Sequence, residues 1–132
     1  MCLCELMGKI VTKNIVNFQK NEGQHSQLRL ADNPERLISG DPTHKTTVHY
    51  TNEDNSFVTG TWTATPGKFK VAADRDEFCY IIYGHARLID ANGTFEVFKA
   101  GDAFVIPNGF TGHWDVIETT AKHFAIYKYP AP

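Results

Sequence analysis

The chain of 132 residues lacks any apolar run near the ~20 residues that a membrane-spanning helix needs. It also lacks a basic stripe. Thirteen Lys and Arg stand against fifteen Asp and Glu, the formal charge is -2 and the pI is about 6.3, so nucleic acid is not an expected partner. Cysteine is scarce: Cys2 and Cys4 are too close to staple much chain, and Cys79 has no obvious mate. This count points to free thiols in a reducing, cytoplasmic setting, with Cys2 and Cys4 in a frayed tail. The start, MCLCELMGKI, lacks the h-region of a secretory signal. There is no G-x-S-x-G, no phosphate-cradling glycine loop and no C-x-x-C, which removes the commonest nucleophile, nucleotide and redox motifs. No internal repeat and no long 3.6-residue apolar period is found.

What the chain does have is alternation. With 42% hydrophobic and 21% charged residues it has the composition of one soluble domain with a real core. Residues 10–20 alternate weakly and suggest a first strand. Residues 21–44, with Gly23, Pro34, Gly40 and Pro42, read as an irregular arm, so that 1–44 forms an N-terminal strand and arm before a barrel of residues 45–132 within one domain. From there strands are expected over 45–51, 56–64, 77–84, 85–90, 102–107, 113–118 and 121–129. TPGKF (65–69) reads as a turn, and Asn92-Gly93 gives the strongest hairpin signal. Strand starts every ~8–12 residues point to an all-β sandwich or barrel.

Three stretches carry a family resemblance: GTWTATPGKF (60–69), DEFCYIIYGHARLID (76–90) and FKAGDAFVIPNGFTGHWDVIE (98–118). Gly60 to Tyr127 resembles the cupin superfamily, and more narrowly the small single-domain cupins grouped with (S)-ureidoglycine aminohydrolase and the ethanolamine-utilisation cupins. The resemblance implies a jelly-roll β-barrel of the RmlC-like cupin type, usually a homodimer, with a small-molecule pocket in the barrel mouth. Metal-binding cupins carry H-x-H a few residues before the glutamate of the first motif, here Glu77, and a histidine three residues after the last glycine of the second, Gly109. Those places hold Lys70 and Ala72 (or Val71 and Ala73 with a shorter loop) and Gly112, so three of four expected ligands are missing. His113 is one residue off, and on a strand one step reverses the face unless a bulge at Gly112 intervenes.

Glu77 is the pivotal residue. It shares parity with Cys79, Ile81 and Tyr83, and the family geometry points that face inward. A buried carboxylate either has a raised pKa or is neutralised, and Lys70 is the expected partner. Trp114 shares parity with Gly112 and is expected inside; Trp62 and Tyr83 are candidate walls, and Cys79 is a core thiol or pocket residue. Asp102, Pro107 and Gly109 read as turn formers.

Three functional readings follow. The first is a binding protein or enzyme for a polar, nitrogen-containing small molecule, with no cofactor, in which Glu77 and Lys70 supply acid/base chemistry and Trp62, Tyr83, Trp114 and Cys79 contact the substrate. The second is an aminohydrolase-like cupin enzyme holding one divalent metal (Mn, Fe, Ni or Zn) on a rearranged set, Glu77, His113 and one of His49, His44 or His123. The third is a non-enzymatic ligand-sensing subunit of a dimer, whose arm adds to a neighbour's sheet.

Overall fold

Side chains on a strand alternate between two faces, and that period organises the whole chain. The structure, a computed structural model, describes residues 13–130. Its strands are β1 (Gln24–Arg29), β2 (Leu37–Gly40), β3 (Thr43–Thr51), β4 (Phe57–Ala64), β5 (Gly67–Ala72), β6 (Asp76–Asp90), β7 (Phe95–Lys99), β8 (Ala103–Ile106) and β9 (Thr111–Tyr127). A 3-10 turn, Leu30–Asp32, links β1 to β2. All described strand pairs are antiparallel and belong to one sheet, which runs β1-β3-β4-β9-β5-β2 with β6 joining β9, β8 and β7. The result is the expected all-β jelly-roll barrel.

β9 is the spine. Its C-terminal half pairs with β4 from Phe57↔Tyr127 to Ala64↔Thr120, its N-terminal half pairs with β5, and β6 borders nearly its whole length on the other side. The two strands expected at 113–118 and 121–129 are therefore one. The strands expected at 77–84 and 85–90 also merge, into the 15-residue β6. The register of β6 on β9 shifts between Ile81 and Tyr83, between Tyr83 and His85, and between His85 and Ala86. Gly84, at φ 115°, sits in this kink, where a Cβ would lie 2.4 Å from the Thr120 hydroxyl. The inward set on β6 accordingly changes from odd residues (Cys79, Ile81) to even ones (Ala86, Leu88).

The expected turn at 65–69 shortens to Thr65 and Pro66, because Gly67 already opens β5. The Asn92-Gly93 turn closes the β6–β7 hairpin, with Asp90 accepting from the Thr94 and Asn92 amides. Asp102 accepts from the Lys99 amide, as a turn cap does.

The N-terminal region departs most from expectation. The described part of the predicted first strand, 13–20, is irregular and ends in a turn; residues 10–12, with Cys2 and Cys4, lie outside the described residues. The arm beyond it supplies two edge strands to this chain's own sheet, β1 on β3 and β2 on β5. β3 begins at Thr43, so no break falls at residue 44. The core that these strands enclose includes Phe69, Ile81, Trp114 and Val116, each worth roughly 1.5–3 kcal/mol on burial.

Candidate functional site

A cavity of about 260 Å³ opens inside the barrel. Neighbouring strands aim its polar centre. Trp62 on β4 faces Lys122 on β9 as a direct register partner, and Lys122 is also level with Ile81 of β6. Lys122, Phe124 and Ile126 share one parity of β9 and all line the cavity. Lys122 is 4% exposed, and its Nζ donates to Glu77 Oε2 at 2.7 Å. The ammonium also lies 4.7 Å from the Trp62 ring centroid, 5.4 Å from that of Trp114, and 3.5 Å from Cys79 Sγ. The two indoles turn their negative faces to it.

The pair is charged on both sides. Burial pushes the Glu77 carboxyl up, but the charge and hydrogen bond of Lys122 more than offset this and hold it below the usual glutamate value. Burial pulls the Lys122 ammonium down, and Glu77 outweighs that and raises it. Cys79 donates to Glu77 Oε2 at 3.3 Å, and burial above all pushes its thiol up to about 12. Both recorded bonds of the Glu77 side chain use Oε2, which leaves Oε1 to accept from an occupant.

His44 completes the inner wall. It is 7% exposed, packs edge-on against Trp62 and Phe69, and buries its Nε2 with no partner among the described residues. Burial, then the charges of Arg36 and Lys122, lower its pKa to about 4, so the ring is neutral at pH 7. Arg36 lines the same cavity at the start of β2.

Several sequence expectations need correction. Lys70 does not neutralise Glu77: Phe69 and Val71 take the inward parity of β5, and Lys70 is exposed on the outer side, bordering only a wider opening that Glu77 and Arg36 also line. Tyr83 is not a wall, because the register shifts of β6 turn it outward, 49% exposed. Trp62 and Trp114 do line the cavity. Cys79 lies behind it, in the core.

The rearranged metal set is not assembled. β9 passes Gly112 and His113 in unbroken register with β5 and β6, so no bulge reverses His113, which sits on the opposite face from the buried Trp114. His49 bonds to Asn21 and to Thr61, which in turn bonds to His123, and Phe18 stacks on His49 at 4.4 Å. Thr61 has the opposite parity from Trp62, so this cluster lies on the outer face of the sheet. Gly112 itself admits no side chain, because a Cβ there would be 1.9 Å from the Ile89 carbonyl oxygen. Among the described residues no three His, Cys, Asp or Glu side chains gather as metal ligands. The residues around Glu77 thus do not fit the divalent ion of metal-binding cupins, and an ammonium already occupies its carboxylate.

Sequence reasoning missed Lys122 and Arg36. The signal for Lys122 was present: AKHFAIYKY puts it in step with Phe124 and Ile126. Arg36 carries no such pattern, because it precedes a four-residue edge strand.

The sequence signature described as the EutQ-like cupin domain matches residues 51–124. The chain belongs to that family. No curated protein matches it in sequence. Among solved structures, the Clostridium difficile EutQ protein is 21% identical with a TM-score of 0.60, over 73% of this chain and 78% of that one. A putative ethanolamine utilization protein Q from Salmonella typhimurium is 19% identical with a TM-score of 0.59, over 66% and 71%. A Pseudomonas syringae protein of unknown function is 21% identical with a TM-score of 0.65, over 70% of this chain and 40% of its own length. These likenesses show the cupin fold. No helix among the described residues is long and apolar enough to cross a membrane.

Proposed function

We propose that this EutQ-like cupin binds a small, polar, nitrogen-containing metabolite inside its barrel through its own side chains. The observation that carries the reading is the buried Lys122–Glu77 pair between two indoles at the cavity. Lys122 presents N–H donors and Glu77 Oε1 an acceptor, so together they complement a group with both an acceptor and an N–H. The volume suits a small metabolite rather than a polymer, just below the ~300–1,000 Å³ typical of ligand pockets.

The pair supports binding better than proton transfer. Efficient acid/base catalysts titrate near the working pH, whereas Glu77 is moved down and Lys122 up, away from neutrality. Aminohydrolase-like chemistry through a metal would need donors that the described residues do not bring together. A homodimer is carried in the same proposal, with the exposed outer strip of β6, Phe78, Tyr80 and Ile82, as surface available to it.

Calorimetric titration with a panel of small amides, amines and amino acids tests the reading. A hit is expected to lose affinity in the Glu77→Leu/Lys122→Met double variant, which removes both charges together. A hit with the same affinity in that variant refutes the role of the pair.

A further inference from the structure

The cavity has a surplus of one positive charge. Among the described residues three fully charged side chains line it, and Lys122 and Glu77 neutralise each other, which leaves Arg36. The Arg36 guanidinium makes no hydrogen bond or ion pair among the described residues, although its backbone is fixed by an Asn33 carbonyl behind it and by the Lys70 amide on β5. Its charge reaches His44, where it is the second cause of the lowered pKa. His44, more than nine-tenths buried, lines the same cavity, and its Nε2 has no partner among the described residues. A buried ring nitrogen without a partner is destabilising, and a hydrogen bond to it would relieve that.

The walls add shape and exclude a class. Trp62, Trp114 and Phe69 give flat apolar surfaces to a body that is itself flat. The Lys122 ammonium lies near both indoles and Arg36 lines the same cavity, so a cationic ligand would meet two positive charges.

We propose that the occupant is a small planar carboxylic acid: Arg36 pairs with its carboxylate, His44 Nε2–H donates to it or to its ring substituent, and the ring lies against Trp62, Trp114 and Phe69 beside Lys122. This rests on the reading of the cavity as a metabolite site and adds the charge and shape of the metabolite. A carboxylate fits better than a phosphate monoester, because one arginine supplies one balancing charge and a bidentate fork.

The test uses three ring probes of one shape and different charge: nicotinate, nicotinamide and 3-(aminomethyl)pyridine, with phenyl phosphate as a fourth. Both tryptophans of the chain, Trp62 and Trp114, line the cavity, so intrinsic tryptophan fluorescence reports on it alone. Titrations are run on the full chain, with calorimetry in parallel. The expected order is nicotinate over nicotinamide by about tenfold or more, from the charge-assisted bond, with 3-(aminomethyl)pyridine weakest. Arg36→Gln is expected to remove the preference for nicotinate and leave nicotinamide unchanged. Arg36 is half-buried, and a circular dichroism spectrum checks that the variant folds. His44→Phe, which keeps the aromatic packing, is expected to weaken nicotinate several-fold.

Nicotinamide binding as tightly as nicotinate, or a nicotinate affinity untouched by Arg36→Gln, overturns the carboxylate inference and leaves the cavity reading standing. Phenyl phosphate binding more tightly than nicotinate overturns the choice of carboxylate over phosphate. No response to any of the four at millimolar concentration overturns both.

Discussion

Lys122 stands directly opposite Trp62 across the β4–β9 ladder, with its ammonium 4.7 Å from the indole centroid and 2.7 Å from the Glu77 carboxylate. A cation taken out of water is thus compensated by a ring face and by a full charge. The cation–π contact is worth roughly 0.5–2 kcal/mol, and the ion pair decides whether the site is tolerable at all.

Breaking the pair from one side should therefore be costly, and deleting it should be cheap. Lys122→Met or Glu77→Leu alone is expected to lower stability by about 3–5 kcal/mol, because each leaves a charge without its partner. The double variant Glu77→Leu/Lys122→Met is expected within ~2 kcal/mol of the natural chain. Urea denaturation of the four proteins measures this. Additive losses would mean that the two groups do not act as a pair.

Stability should fall between pH 7 and pH 5 through histidines that are neutral in the fold. His44 titrates at about 4 when folded against 6.5 ordinarily, and burial lowers His49 and His123 in the same direction. The unfolded chain takes up these protons first, so the stability is fully present above 6.5 and is lost as pH falls towards 4. His44 alone accounts for about 2 kcal/mol by pH 5, as an upper bound. Asp41, Asp74, Asp76 and Glu77, all lowered, act below this window. His44→Leu should flatten the melting temperature between pH 7 and 5; an unchanged slope would place the effect elsewhere.

Two glycines at the N-terminal end of β9 separate crowding from backbone strain. Gly112→Ala drives a Cβ into the Ile89 backbone and is expected to cost ~3 kcal/mol or more. At Gly109 there is open space around the Cβ position but φ is 93°, so Gly109→Ala is expected to cost about 1 kcal/mol. Thermal unfolding of the two variants ranks them, and the reverse order would contradict the close approach of β6 and β9.

The Cys79 thiol should resist modification. It is fully buried and pushed up to about 12, so almost none is thiolate at pH 8. Peptide-mapped iodoacetamide labelling is expected to reach Cys79 only after denaturation. Labelling in the native protein at the rate of a free thiol would show that this side of the barrel opens.

Most of the barrel was legible in the sequence because alternation is a local signal. The strands carrying Trp62, Glu77 and Trp114 were found where they occur, and Asn92-Gly93 marked its hairpin. Parity failed where the register changes, and Tyr83 is the clearest case: the kink at Gly84 is set by Thr120 on another strand, which no short window contains. The site was half legible. Glu77 drew attention as a carboxylate with inward parity, but its partner was sought seven residues away at Lys70, while the real one lies 45 residues downstream and meets it only when β9 crosses β6. Arg36 and His44 converge through β2 and β3, from a region that reads as a loose arm.

The continuity of β9 ties occupancy of the cavity to the rigidity of the molecule. One unbroken strand carries Trp114 and Lys122 and holds the ladders of β4, β5 and β6. An occupant that quiets those two side chains would slow amide exchange in all four strands together, so the barrel would report a guest as a whole rather than at one loop.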